Sequence, residues 1–351
     1  MEQARGRAQK PVPTSKDVAA LAGVSQSTVS YVMTGRRAIS AQTRRKVEDA
    51  MALLGYHPNA GARALRGART NVIALAVRLG HDAEVAESVP YIDAVVEEAR
   101  ARDYDVVLST TDDGPSGLER LAGRRVADAF VLMDVHTEDP RLATAASLGL
   151  PVVLVGRPAD RHGLDAVDFD TRAAAALLVG ELADTGHRHV VAVGETPDVD
   201  AETMRFLSDF HEGARAEAAR RGLGFDLVSR ERAGWAGVEA AADRILADRG
   251  DRLGLLARTG QVTEWLVQLA HTRGLRVGED VSLVSLCTDV TAAALEPAVT
   301  HVSPQPRELS RLAMRVLFER IDGEPDVERP ARLELLAPAG VERRASVVTY
   351  D

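Results

Sequence analysis

Three sets of residues in this chain have the types and spacing to do chemistry. Asp184-Thr185-Gly186 has the composition of an aspartic-protease triplet, but it closes a helical pattern in which Gly186 is an ordinary stop. His187 and His189 stand two apart before a strand, and a metal site needs further ligands. Gln26, Ser27, Ser30 and Tyr31 place amide and hydroxyl groups on the helical face opposite Val29 and Val32. Such groups recognise by hydrogen bonding and break no bonds. With no P-loop, G-x-S-x-G or H-E-x-x-H motif, we assign no catalytic residue, no metal site and no cofactor, and read the chain as a non-enzyme.

The elements around the third set explain its placement. Thr14 is a plausible N-cap, Val18, Leu21 and Ala22 recur at helical spacing, and Gly23 can end the helix. Ser25 caps a second helix carrying Val29, Val32 and Met33, and Ala19 is small where two helices cross. This is a helix-turn-helix pattern. Ser40 starts a third helix with Val47, Met51, Leu53 and Leu54 facing inward, which completes a small core. Residues 1–13 read as a disordered tail.

Charge separates this module from the rest. The 351 residues sum to −9, which argues against a nucleic-acid partner. Residues 1–70 carry 12 Lys and Arg against 4 Asp and Glu, a net +8. The remaining 281 carry 31 against 48, a net −17. A basic head on an acidic body is the clearest functional sign in the composition. The lone cysteine, Cys287, excludes an internal disulfide and a cysteine-built zinc site. No apolar run reaches the ~18–20 residues of a membrane span, and the N-terminus lacks a secretory signal. We therefore expect a cytoplasmic protein with no membrane partner.

From residue 71 the pattern alternates. NVIALAVRL, YDVVLST, ADAFVLM, LPVVLVG, HVVAVG, LGLLAR, DVSLVSL and THVSP read as buried strands, with helical patterns between them. This alternation predicts doubly wound α/β domains.

The stretches KDVAALAGVSQSTVSYV, SAQTRRKV and LGYHPNAGARALR together resemble the head of the LacI/GalR family of bacterial transcriptional repressors. Body landmarks extend the resemblance over essentially the whole chain: Pro90-Tyr91, GHRHVVAVG, GLRVGEDVSLVS, EPAVTHVSPQPREL and a terminal RRAS. The resemblance implies a three-helix helix-turn-helix domain at 1–58, a hinge at 59–70 and a two-lobed periplasmic-binding-protein-like domain at 71–351. It implies that Gln26, Ser27 and Tyr31 face base edges in the major groove, with Tyr31 where relatives often carry arginine. Thr14, Ser25, Thr28, Ser30, Thr34, Ser40, Thr43, Tyr56 and Asn59 match positions at phosphates or the groove edge. Leu65 matches a leucine that wedges between base steps in the minor groove, and Ala62 the small residue where two hinge helices pair.

The resemblance also implies a ligand cleft between the lobes, with candidates Tyr91, Arg157, Asp168, Asp170, Phe210, Arg258, Thr259, Cys287 and Asp289. Three of these depart from the family. Phe210 replaces an arginine, Thr259-Gly260 an Asn-Asp pair, and Cys287 an aspartate. Those losses argue against an ordinary sugar as effector. They leave open a different small molecule, or a pocket that has lost its effector. We expect a homodimeric, sequence-specific regulator, most simply a repressor, on a near-palindromic operator in double-stranded DNA. The rival from another class is a solute-binding protein.

Overall fold

A computed structural model of the chain describes residues 13–34, 39–56, 69–78, 85–110, 114–196, 204–247, 252–323 and 330–350. It divides into two compact units, residues 1–71 and 72–351.

The first unit is built from α1 (Ser15–Ala22), α2 (Gln26–Thr34) and α3 (Ala41–Leu54). Each helix start has a side-chain device. The Asp17 carboxylate accepts from the backbone N–H and the hydroxyl of Thr14, both at 2.7 Å. Ser25 accepts from the Thr28 N–H at 3.1 Å, and Ser40 from the Thr43 N–H at 3.2 Å. Gly23 and Gly55 end α1 and α3 in the left-handed region, φ 65° and 59°, which costs glycine little. Val18, Val29 and Val47 are fully buried, one from each helix, with Ala19, Val32 and Ala50 around them. Two residues expected inside are outside: Leu21 is 52% exposed and Leu53 79%. Helical spacing identifies a face, but three short helices bury only a narrow stripe of each, and these two lie beyond it.

The second unit contains two all-parallel sheets. The first holds β1 (Val72–Val77), β2 (Asp105–Thr110), β3 (Ala129–Leu132), β4 (Val152–Val155), β5 (Asp165–Phe169) and β11 (Leu333–Leu336), in order β11-β5-β4-β3-β1-β2. The second holds β6 (His189–Val193), β7 (Gly224–Val228), β8 (Leu253–Ala257), β9 (Ser282–Leu286) and β10 (Thr300–Val302), in order β10-β9-β8-β6-β7. Central strands such as β3 and β8 are buried along their whole length, as continuous apolar runs require, and β9 is equally buried although it carries Ser282 and Ser285. The flanking helices are α4 (Val85–Arg100), α5 (Gly114–Gly123), α6 (Arg141–Ser147) and α12 (Pro306–Ile321) with the first sheet. With the second sheet go α7 (Thr171–Asp184), α8 (Arg205–Arg221), α9 (Trp235–Ala247), α10 (Gly260–Thr272) and α11 (Asp289–Ala294).

The chain passes between the lobes three times: after β5, after β10 and after β11. On its last passage it returns to the second lobe, where Ser346 donates to Leu283 O at 2.6 Å and the Tyr350 N–H to Thr185 O at 2.9 Å. In both sheets the winding reverses beside the first strand, between β1 and β3 and between β6 and β8. Open parallel sheets bind ligands at that reversal, beyond the carboxyl ends of the strands.

Candidate DNA-reading face and ligand cleft

In the first unit, α2 turns Val29 and Val32 inward and leaves Gln26, Ser27 and Tyr31 exposed. Gln26 is the first residue of α2, and its Nε2 donates to Ser15 Oγ, the first residue of α1, at 2.8 Å. Thr14, Ser25, Thr28, Ser40 and Thr43 are already engaged at helix starts. Hydrogen bonds from Thr14 hold the Asp17 carboxyl below its ordinary range. Ser30 is half-buried on α2, Tyr56 half-buried after α3, and Thr34 ends α2. Asn59, Ala62 and Leu65 lie outside the described residues.

In the second unit the two winding reversals carry most of the charged groups that sequence reasoning did not name. At the first, the Arg78 N–H donates to the Asp134 carboxylate at 2.8 Å, and burial pushes that carboxyl above its ordinary value. The loop holding Asp134 is braced by buried Arg141, which pairs with Asp139 at 2.6 Å and donates to Met133 O and Asp134 O at 3.1 Å each. At the second reversal, Glu195 follows β6 and Arg258 follows β8. The Glu195 carboxylate accepts from Arg258 Nε at 2.7 Å and from Arg230 Nη2 at 2.6 Å. Burial raises the Glu195 carboxyl, but Arg258 and Arg230 outweigh it and hold the group below its ordinary value. Arg258 also lies over the Phe206 ring, 5.3 Å from its centroid.

Arg157 and Glu87 make contacts that join the lobes at this level. Arg157, after β4, pairs with Asp168 at 3.5 Å and also with Asp209 on α8. Asp209 further meets Arg172 at 3.1 Å and Arg205 at 3.8 Å. Burial outweighs the attraction of Arg157 at Asp168, whose carboxyl is pushed up to about 6. The second contact is Glu87 on α4, which accepts from the Gly260 N–H at 3.0 Å. Gly260 opens α10, so a carboxylate of one lobe sits at a helix N-terminus of the other. The approach is close: a Cβ on Gly260 would come within 2.6 Å of Glu87 Oε1 and 2.7 Å of Thr291 Cγ2.

The remaining sequence candidates divide. Thr259 caps α10, accepting from the Val262 N–H at 3.3 Å. Asp289 opens α11, and its Oδ1 is 2.9 Å from His301 Nε2. Asp170 caps α7 through the Ala173 N–H at 2.9 Å. Tyr91 is half-buried against the first lobe's core, and burial raises its hydroxyl pKa. Phe210, 1% exposed, packs with Ala214, Ala218 and Leu178 in the core. Cys287 is fully buried, its thiol pushed up to about 12 by burial. Phe210 and Cys287 therefore serve packing, and offer a ligand no polar group that is free of the core. His211 Nε2 is one of six buried side-chain atoms with no hydrogen-bond partner among the described residues.

The protease-like triplet resolves structurally: Asp184 ends α7, and Thr185 Oγ1 donates to Glu181 O at 2.8 Å. His187 Nδ1 lies 2.9 Å from Leu182 O, and His189 pairs with Asp226 at 2.8 Å. No helix among the described residues is long and apolar enough to cross a membrane.

Residues 14–59 match the family model for bacterial regulatory proteins of the lacI family. Residues 87–222 match that for the periplasmic binding proteins and sugar binding domain of the LacI family, and residues 179–347 a periplasmic binding protein-like domain. HTH-type transcriptional regulator CelR of Thermobifida fusca is 32% identical over 338 residues, covering 92% of this chain and 95% of that protein. Catabolite control protein A of Priestia megaterium is 24% identical over 329 residues, covering 92% and 97%. Among solved structures, a transcriptional regulator CelR–cellobiose complex aligns at 27% identity and TM-score 0.67, covering 95% of this chain and 99% of that one. A lac repressor dimer bound to operator and the anti-inducer ONPF shares the fold, with 21% identity, TM-score 0.79 and coverage of 97% and 100%. With the helix-turn-helix unit, the paired parallel sheets and a full-length relative in agreement, the chain belongs to the LacI family of bacterial regulatory proteins and is a transcriptional regulator.

Proposed function

We propose that the protein binds a near-palindromic operator as a homodimer, represses there, and changes its DNA affinity when a small molecule closes the two lobes. The boundaries we propose are a head at 1–58, a hinge at 59–70 and a body at 71–351. Gln26, Ser27 and Tyr31 read base edges; Thr14, Ser25, Thr28, Ser30, Thr34, Ser40, Thr43, Tyr56 and Asn59 hold the backbone; Ala62 and Leu65 serve the minor groove. The observation that carries the head reading is the split of α2, with Val29 and Val32 buried and Gln26, Ser27 and Tyr31 exposed. No catalytic step is part of this reading, and the cell compartment that suits it is the cytoplasm.

For the effector, the structure favours a different class from the one the sequence suggested. The departures at Phe210, Thr259-Gly260 and Cys287 argued against an ordinary sugar. Yet Glu195, Arg258 and Asp134 stand at the winding reversals, Arg230, Arg157 and Asp168 stand at or just past the ends of other strands, and His211 Nε2 has no hydrogen-bond partner among the described residues. Arginine–carboxylate pairs suit a polyhydroxylated ligand, which can donate and accept at each hydroxyl. The relative solved with cellobiose supports the same class. We therefore propose a saccharide effector bound by Arg157, Asp168, Arg258 and Glu195, with Tyr91, Asp170, Thr259 and Asp289 near its rim. A pocket without effector is the second reading, favoured by the internal Glu195–Arg258 and Glu87–Gly260 contacts.

Selection of bound DNA fragments followed by operator titration tests both parts. Gln26→Ala or Ser27→Ala should change the preferred base at one pair of each half-site; an affinity loss equal for all sequences would overturn the head reading. Cellobiose and longer glucans should shift the wild-type melting temperature and operator affinity but not those of Arg258→Ala. If no saccharide moves either quantity, the saccharide reading falls, leaving a different small molecule or a pocket without effector.

A further inference from the structure

We propose that Ser15 is a specificity-determining positioning residue: its hydroxyl holds the Gln26 amide in the orientation that reads a base. This rests on the reading of Gln26 as a base contact.

The geometry starts from the two helix openings. Ser15 opens α1 and Gln26 opens α2, and Gln26 Nε2 donates to Ser15 Oγ at 2.8 Å. Both backbones are pinned. Thr14 and Asp17 fix the start of α1, and Ser25 and Thr28 that of α2. Val18 and Val29, fully buried together, hold the helices against each other. The pair therefore has little freedom except in the Gln26 side chain, which loses rotamer freedom when it must be ordered on binding.

The hydrogen-bond inventory shows what the pair leaves available. A glutamine amide has one oxygen and two N–H groups. An adenine edge takes the oxygen and one N–H. The second N–H is spare, and that is what Ser15 can accept. Base reading and the Ser15 contact are thus compatible and can be made together.

The serine hydroxyl can also donate, and alone it would tolerate a flipped amide. A phosphate oxygen removes that freedom, because it only accepts. If Ser15 donates its hydroxyl hydrogen bond to a phosphate oxygen of the DNA, its oxygen can only accept from Gln26. The amide oxygen then faces away from Ser15, toward the groove. A backbone contact, carrying no sequence information itself, so fixes the polarity of a base contact.

The test measures affinities of the full-length protein for operators carrying each of the four bases at the pair whose preference Gln26→Ala changes. Wild type, Ser15→Ala, Ser15→Thr, Gln26→Ala and the Ser15→Ala/Gln26→Ala double variant are compared. Ser15→Ala should lower base discrimination at that pair about fivefold, leaving pairs read by Ser27 and Tyr31 unchanged. Ser15→Thr, which keeps a hydroxyl, should retain discrimination, and Ser15→Ala should add nothing in the Gln26→Ala background. An equal affinity loss for all four bases, or unchanged discrimination, would make Ser15 an ordinary helix-start residue and overturn the proposal. If Gln26→Ala itself leaves every preference unchanged, the reading of Gln26 falls first and the proposal with it.

Discussion

The head and the body use polar groups in opposite ways. In the head, Gln26, Ser27 and Tyr31 stand in solvent, and the core beneath them is a handful of small apolar residues. In the body, Arg230, Asp168, Asp209 and Arg141 are buried and Glu195 is half-buried, and each is held in an ion pair: Arg230 with Glu195, Asp168 and Asp209 with Arg157, and Arg141 with Asp139. Exposed groups cost little to keep ready and can be exchanged for a nucleic-acid partner without breaking the fold. Buried charges are expensive to separate, so they fix geometry and respond only to something that replaces their partners. On the proposed reading, recognition in the head is a matter of side-chain orientation, and in the body a matter of exchanging ion pairs.

The sharpest way to break this comparison is to remove the centre of a buried cluster. Glu195→Ala leaves Arg230 and Arg258 uncompensated and should destabilise the body by about 3–5 kcal/mol. Chemical denaturation of the full chain measures it; a loss under about 1 kcal/mol would show that the cluster is effectively solvated.

Next comes Asp168, whose carboxyl is raised from its ordinary 3.8 to about 6. The folded state holds this proton more tightly than the unfolded chain does. The resulting stability is fully present below about pH 4 and lost as pH rises through about 6. It amounts to at most about 3 kcal/mol. Asp168→Asn should remove that slope from a melting-temperature profile taken between pH 4 and 7. Glu195, held low, acts in the opposite sense and only below its ordinary range. The two windows therefore separate.

Smaller effects sharpen the contrast. Ser40→Ala removes the cap that accepts from the Thr43 N–H and should cost the head about 1 kcal/mol. Hydrogen exchange should show faster opening of α3 amides with the body unchanged. Glu87→Gln keeps an acceptor for the Gly260 N–H but removes the charge at the α10 start. We expect a loss of about 0.3–1 kcal/mol in the body, read by the denaturation midpoint at low salt.

How much was legible depended on how local the cause was. Thr14, Ser25, Ser40, Gly23 and the two-sided α2 could be read directly, because capping and helical period are local. Leu21 and Leu53 were placed inside because period alone does not say how wide the buried stripe is. Eight strands announced themselves as apolar runs. Strand β5 did not, because DAVDF carries Asp165 and Asp168, whose partners Arg320 and Arg157 come from other elements. Strands β7 and β11 lie at sheet edges with partly exposed residues, so their apolar pattern is weak.

The same rule governs the cleft. Arg157, Asp168 and Arg258 were named from a resemblance in sequence. Glu195, Arg230, Asp209 and Glu87 were missed because only the folded strand order brings them to the same place. One signal was available: Glu195 and Arg258 stand within two residues of the ends of predicted strands, where α/β sheets place ligand-binding groups.

The three passages between the lobes have a consequence for synthesis. The first sheet lacks an edge strand until β11 emerges, and the second lobe lacks its last hydrogen bonds until Tyr350 does. Neither lobe can finish before the other. The head's core, by contrast, is complete by Tyr56. At about 5–20 residues per second, the head precedes the finished body by roughly 15–60 s. A nascent chain therefore carries a folded DNA reader well before it carries the domain that regulates it.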